Sequence, residues 1–323
     1  MLTPLVFRPL YRRYIWGGRS FADVFGRDLP PGDDYAESWE LVDRGTDQSI
    51  VAEGPWSGRS LGELVREHGD AVLGSRGGER FPLLFKFLDA CRDLSVQVHP
   101  DDARAARLSR PDLGKTEAWY VVAARPGSRI YAGLQPGVGP RELAAALAAG
   151  RCDTALHAFE PKPGDCVFIP AGTVHAIGAG LLVAEIQQSS DVTYRLHDWN
   201  RTGPDGRPRP LHIEAGLEAV TKTGPVDPVT PTARSDEGVS RLVDCPYFRL
   251  DEVCPGGRWE VGGDGGWHFL AVLAGSVSCD DRWNLPPLGP GGCVLMPAAI
   301  GRQPLRTAAS GGQACRLLRV CLP

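Results

Sequence analysis

The stretch from Gly164 to His175, GDCVFIPAGTVH, restricts the possible folds more than any other. Its spacing is G-x5-P-x-G-x2-H. That spacing predicts a short apolar strand, Cys166 to Ile169, stopped by a Pro-Ala-Gly turn. A second strand, Thr173 to Ile177, then carries one imidazole. Gly172 takes a positive φ without steric cost, while Pro170 fixes φ and ends strand pairing. A lone histidine beside Val174 and Ile177 is usually a satisfied core residue, so its meaning depends on which side chains join it.

The 323 residues have room for two compact domains or one large β domain. Forty glycines and 28 prolines, with short Val-, Leu- and Thr-bearing runs, favour many strands and turns. A net charge of −4 and the absence of any Lys/Arg run argue against nucleic acid as a partner. No segment has the apolar length that crosses a bilayer, so no membrane partner is expected. Arg8, Arg12 and Arg13 interrupt the N-terminal apolar residues, which argues against a secretory signal. Nine cysteines without a C-x-x-C pair read as small buried side chains in a reducing, cytoplasmic compartment. Of 35 basic residues only Lys86, Lys115, Lys162 and Lys222 are lysines. A retained lysine marks a place for a compact ammonium that a planar guanidinium does not fit. Lys162 and Lys222 read as incidental.

Residues 1–60 alternate aromatics with turn residues and read as extended segments. Ser60, with Glu63 three residues on, predicts an N-cap for an amphipathic helix from Leu61 to Leu73. Phe81 to Leu88 (FPLLFKFL) is an apolar strand in which Lys86 must find a partner or a ligand. In LSVQVH, side chains alternate faces: Leu94, Val96 and Val98 point one way, and Ser95, Gln97 and His99 the other. Glu117 opens a further strand and shares a face with Trp119. Pro140 to Gly150 is the strongest helix signal. Later, Thr193, Arg195 and His197 oppose Val192, Tyr194 and Leu196.

Between Arg201 and Pro231 the composition turns to Gly, Pro, Thr and Arg, which sets a domain boundary: 1–230, then 231–323. The second part echoes the first, Gly291-x5-Pro297 repeating Gly164-x5-Pro170. Arg302 stands where His175 would be, so the repeat has the scaffold without the ligand.

Gln97, His99, Glu117 and His175 come from three strand segments whose polar faces converge inside one small barrel. Two imidazoles, a carboxylate and an amide oxygen suit a divalent cation. The lack of cysteine fits zinc, iron, manganese or nickel.

The motifs LSVQVHPDD, GKTEAWYV, FIPAGTVHAIGAG and EIQQSSDVTYRLHDW, in this order, resemble those of the type I phosphomannose isomerases, in their short bacterial form. The resemblance is strong from Tyr14 through Asn200 and vague after Pro231. It implies a mainly β fold of cupin-type (jelly-roll) barrels, one catalytic and one degenerate, with a few short helices. It implies one zinc ion per chain, on Gln97, His99, Glu117 and His175. Arg195 falls on the family's catalytic arginine. Glu185 and Lys115 fall on residues proposed as acid/base participants, and Ser95 and Lys86 lie where the family handles phosphate. Lys115 precedes its strand and reaches more easily toward the phosphate, which favours Glu185 as the proton shuttle.

The implied activity is interconversion of mannose 6-phosphate and fructose 6-phosphate through an enediol(ate), by a monomer or weak homodimer. The scaffold leaves two alternatives: a metal-dependent oxygenase, which has no need of Lys86, Lys115 and Arg195, and a non-catalytic sugar-binding cupin, which needs neither metal set nor arginine.

Overall fold

A computed structural model of the chain describes residues 1–75, 77–203 and 206–323. The chain is mainly β with a few short helices. Eleven strands build the part that carries the motifs: β1 (Leu10–Gly18), β2 (Tyr35–Leu41), β3 (Leu83–Ala90), β4 (Val96–Val98), β5 (Glu117–Ala124), β6 (Ile130–Leu134), β7 (Leu156–Phe159), β8 (Cys166–Ile169), β9 (His175–Ile177), β10 (Leu181–Gln188) and β11 (Tyr194–His197). They form a six-stranded sheet in the order β8-β5-β10-β3-β2-β1 and a five-stranded sheet in the order β7-β6-β9-β4-β11.

The alternation of side chains explains how these sheets stack. Trp119, Val121, Val167, Ile169 and Val183 of the larger sheet share one apolar cluster with Ile130, Ala132 and Ile177 of the smaller. The intervening residues Ala118, Tyr120, Phe85, Phe87, Ala184 and Ile186 face away from it. They join a second cluster with Leu250, Phe269, Ala271, Leu318 and Val320 of the C-terminal part. Behind the smaller sheet, Val96, Val98, Ala176 and Leu196 pack on Leu143 and Ala219 from two helices, Pro140–Ala148 and Ile213–Ala219. The larger sheet is thus covered on both faces, which accounts for the unbroken burial of β3 and β10.

The C-terminal part has its own five-stranded sheet, Val239–Asp244, Arg249–Val253, Arg316–Cys321, His268–Ala274 and Cys293–Met296 in that order, and a three-stranded one. Leu5 pairs with Leu295, so the N-terminal segment reaches this second sheet. The repeated motif has a structural counterpart. Gly164 and Gly291 both hold positive φ, 99° and 77°, and each is followed at the same offset by a four-residue strand. Arg302, in the place of His175, is exposed and pairs with Glu260.

Ser60 caps the helix Leu61–Leu73 through a capping box with Glu63. Two expectations shift. The strand expected from Thr173 starts at His175, because Thr173 N–H donates to the Pro170 carbonyl and closes the turn. Leu94 precedes β4 and packs in the cluster between the sheets, out of step with Val96 and Val98.

Gly172, at φ 87°, holds that turn against Thr221: a β-carbon there would lie 2.0 Å from Thr221 Oγ1. Gly172→Ala should therefore lower stability by about 1–3 kcal/mol, the range for a non-glycine residue held in such a conformation. A shifted urea midpoint at unchanged slope would register it.

Candidate active site

Two rows of side chains, one on each sheet, face each other across the space between them. On the larger sheet, cross-strand pairing sets Trp119 opposite Glu185, Glu185 opposite Lys86, and Lys86 opposite Trp39. On the smaller, His175 lies opposite Gln97, and Gln97 opposite Arg195. Residues directly opposite in antiparallel strands share a face. The period-two pattern of each strand therefore becomes a transverse row of polar groups.

At one end of these rows His99, Glu117 and His175 bring a ligand atom each within 4.8 Å of one another, all buried. His175 Nε2 is 3.4 Å from Glu117 Oε1, and His99 Nε2 is 3.6 Å from Oε2. Each Nδ1 lies 2.9 Å from a backbone carbonyl, Val192 for His99 and Thr173 for His175. A carbonyl only accepts, so Nδ1 carries the hydrogen and Nε2 keeps its lone pair. Burial and the nearby Lys115 ammonium hold both rings neutral, pushing His175 down to about 3 and His99 well below its ordinary value. Burial, with help from Glu185, raises Glu117, and Lys115 opposes it.

His175 Nε2 and Glu117 Oε1 are buried acceptors without a hydrogen-bond partner. Leaving two such atoms unpaired is costly. A divalent cation would satisfy both, and the N/N/O donor set suits zinc or a similar first-row ion. These residues fit a metal. Gln97 adjoins them through its pairing with His175 and lines the cavity.

The cavity has a volume of about 520 Å³. Lys115, Glu185, Lys86, Gln97, Ser95 and Arg195 all line it. With His99, Glu117 and His175 in the adjoining cluster, these are the nine residues that the motifs nominate for the site. Glu185 Oε2 accepts from the Trp119 indole at 3.0 Å, and Oε1 lies 3.1 Å from Lys86 Nζ. Burial would raise the Glu185 pKa, but Lys86 and Lys115 outweigh it and keep the group a carboxylate. Burial likewise disfavours the Lys86 ammonium. Glu185 and Glu37, the latter at 3.6 Å, overcome that and hold it above the ordinary lysine value.

Lys115 turns inward. Its Nζ hydrogen-bonds to Glu117 Oε2 and lies 3.0 Å from His99 Nε2, at the wall of the cluster. Among the described residues Arg195 has no acidic partner. Asp198 pairs instead with Arg201 and Arg209, while Arg195 reaches the Pro210 carbonyl and leaves its Nε without a partner. Burial and the adjacent Arg209 lower its pKa, though a guanidinium stays cationic at any working pH. His197 departs from the face expected for it. A register shift after Arg195 turns it onto Trp199, with ring centroids 5.4 Å apart.

Sequence reasoning missed the wall built by β1 and β2. Arg12, Tyr14, Trp16, Glu37 and Trp39 line the cavity, with Arg12 lying 4.7 Å over the Trp39 ring and paired with Asp47. The signal was present: Arg12, Tyr14 and Trp16 alternate on one strand, and charged and aromatic residues recur at Glu37 and Trp39.

Comparisons with known proteins point the same way. A family model for the phosphomannose isomerase type I catalytic domain matches residues 5–117. The chain is 35% identical over 308 residues to the mannose-6-phosphate isomerase ManA of Bacillus subtilis, covering 92% of this chain and 94% of that protein. It is 38% identical over 283 residues to the mannose-6-phosphate isomerase of Streptococcus mutans, covering 85% and 86%. A crystal structure of the mannose 6-phosphate isomerase from Bacillus subtilis superposes with a TM-score of 0.88 at 32% identity over 99% of both chains. The likeness therefore extends through the C-terminal sheets, well beyond the reach of the motifs.

Proposed function

The chain belongs to the type I phosphomannose isomerases, and we propose that it interconverts mannose 6-phosphate and fructose 6-phosphate in the cavity between the two rows. The observation that carries this reading is the convergence of His99, Glu117 and His175 beside a buried carboxylate, Glu185, and a guanidinium, Arg195, that has no acidic partner among the described residues. The cavity, about 520 Å³, is of the size that encloses a small ligand.

We assign His99, Glu117, His175 and Gln97 as the residues that hold one zinc ion per chain. A bound zinc would supply Lewis acidity toward the oxygens on C1 and C2 of the sugar. The proton chemistry falls to the chain itself. Glu185 takes the proton from C2 as the C2–H pair becomes the C1–C2 double bond and the carbonyl π pair moves onto O1. The resulting enediol(ate) regains that proton at C1 while the proton on O2 passes to O1, and the ketose is complete. Arg195 faces the charge that develops on oxygen and stabilises it more than the neutral sugar. Lys115, bound to Glu117 and near His99, orients the metal ligands and is the second candidate for proton transfer.

Ser95 and Lys86 are the proposed phosphate contacts. Lys86 sits two strands from Glu117 in the sheet order, on the far side of Glu185. A six-carbon chain with a terminal phosphate spans that gap. We read residues 1–230 as the catalytic cupin-type barrel and 231–323 as its metal-free copy, a reading supported by the matched glycines and strands of the repeated motif. The nine thiols, all free, fit a cytoplasmic protein. Among the described residues no helix is long and apolar enough to cross a membrane. We expect a monomer or weak homodimer.

An assay coupling fructose 6-phosphate formation to a reporter enzyme tests the reading: activity with mannose 6-phosphate, lost to a chelator and restored by zinc. An active protein indifferent to chelation would refute the metal assignment. Arg195→Ala should lower kcat by roughly 10²–10³, as removal of an oxyanion donor does elsewhere. Undiminished turnover would remove Arg195 from the mechanism. Zinc should also raise Tm, by the equivalent of about 4 kcal/mol at a thousandfold excess over Kd. Calorimetry that finds Tm unmoved by zinc would count against a metal site in the folded state.

A further inference from the structure

Trp119 is fully buried, carries no charge and has no part in the chemistry just described, yet it touches two of its members. Its indole N–H donates to Glu185 Oε2 at 3.0 Å. Its ring meets the His175 imidazole edge-on, with centroids 5.3 Å apart and planes at 72°. The backbone explains both contacts. Trp119 lies directly opposite Glu185 in the β5–β10 pair, two residues after Glu117 and on the same face. The ring projects from there toward the smaller sheet, where β9 carries His175.

Glu185 needs such a contact. Its other oxygen faces two buried ammonium groups, Lys86 at 3.1 Å and Lys115 at 3.6 Å. Those lysines fix the charge of the carboxylate. They constrain its rotation less than its charge, because an ammonium is a point charge without a planar donor geometry. The indole is rigid, packed on all sides and a donor only, so it sets the plane of the carboxyl group. Proton transfer at carbon is sensitive to that plane, since a misplacement of about 1 Å can cost a hundredfold in rate.

We propose that Trp119 is a positioning residue for the isomerase reaction: its N–H locks the Glu185 carboxylate in the orientation that reaches C2, and its ring braces His175. The proposal rests on the reading of Glu185 as the proton shuttle. It acts on turnover and leaves substrate affinity nearly alone.

A double-mutant cycle on the zinc-loaded enzyme tests it, with kcat, KM and bound zinc measured for Trp119→Phe, Glu185→Gln and the pair. Phenylalanine keeps an aromatic ring and deletes the donor. The proposal expects kcat of Trp119→Phe to fall about ten- to a hundredfold. KM should change by less than about threefold, with zinc still at one per chain. It expects no further fall when the same change is made in Glu185→Gln, because the indole acts through that carboxylate. A Trp119→Phe enzyme with kcat within twofold of the parent overturns it. So does a loss that is fully additive with Glu185→Gln, or one that follows lost zinc. Should Trp119→Phe fail to fold, benzothienylalanine at position 119 retains the bicyclic shape without the N–H, and the same criteria apply. Failure of the underlying reading looks different: Glu185→Gln would then keep near-parental kcat.

Discussion

His175→Ala should yield a folded protein without bound metal and with kcat/KM lower by at least about a thousandfold. Changes to groups that merely support metal ligands already cost about 10–100-fold in affinity or activity, and His175 is a direct donor in this account. The structure gives the reason for so large an effect. His175 Nε2 and Glu117 Oε1 face each other at 3.4 Å, both buried, neither with a hydrogen-bond partner. Alanine removes one of the two imidazoles and leaves Glu117, His99 and Gln97 to hold the ion. Metal analysis of the purified variant, with circular dichroism to verify the fold, reads the outcome. Stoichiometric zinc in His175→Ala would show that the ion sits elsewhere.

Glu185→Gln carries the second large effect, a fall in kcat of roughly 10²–10⁴, the span associated with a general base. Glutamine preserves shape and can still accept from the Trp119 indole, so the fold and the zinc should survive. It cannot take a proton. Lys86 and Lys115 would then face a neutral amide, and Lys86 would keep Glu37, at 3.6 Å, as its acidic partner among the described residues. KM for mannose 6-phosphate should move much less than kcat. Steady-state kinetics of Glu185→Gln beside Lys115→Met decides between the two candidate shuttles. A Lys115→Met enzyme that retains zinc yet loses more turnover than Glu185→Gln would transfer the role to the lysine.

Local pattern made much of this site legible. Period-two alternation set Gln97 and His99 on one face and Glu117 with Trp119 on another, and the sheets bring those faces together. Gly172 and Pro170 marked the turn that delivers His175. The need of Lys86 for a partner followed from its apolar neighbours, and it finds two.

What stayed hidden depends on pairing between distant strands. That Trp119, Glu185, Lys86 and Trp39 form one row is a matter of register across four strands, which no local window encodes. For the same reason the wall of Arg12, Tyr14 and Glu37 passed as simple extended structure. The place of Lys115 before its strand suggested free reach, whereas Glu117 and His99 draw its ammonium inward. Leu94 and His197 left their expected faces where a strand had not begun or where a register shift intervened.

Anomalous diffraction at the zinc absorption edge, on crystals of the active enzyme, is the most direct measurement. A single strong peak is expected, bonded to Nε2 of His99, Nε2 of His175, a carboxylate oxygen of Glu117 and the amide oxygen of Gln97, at the usual zinc distances of about 2.0–2.2 Å. An active enzyme whose anomalous peak lies away from those four side chains, or that has none, would contradict the assignment.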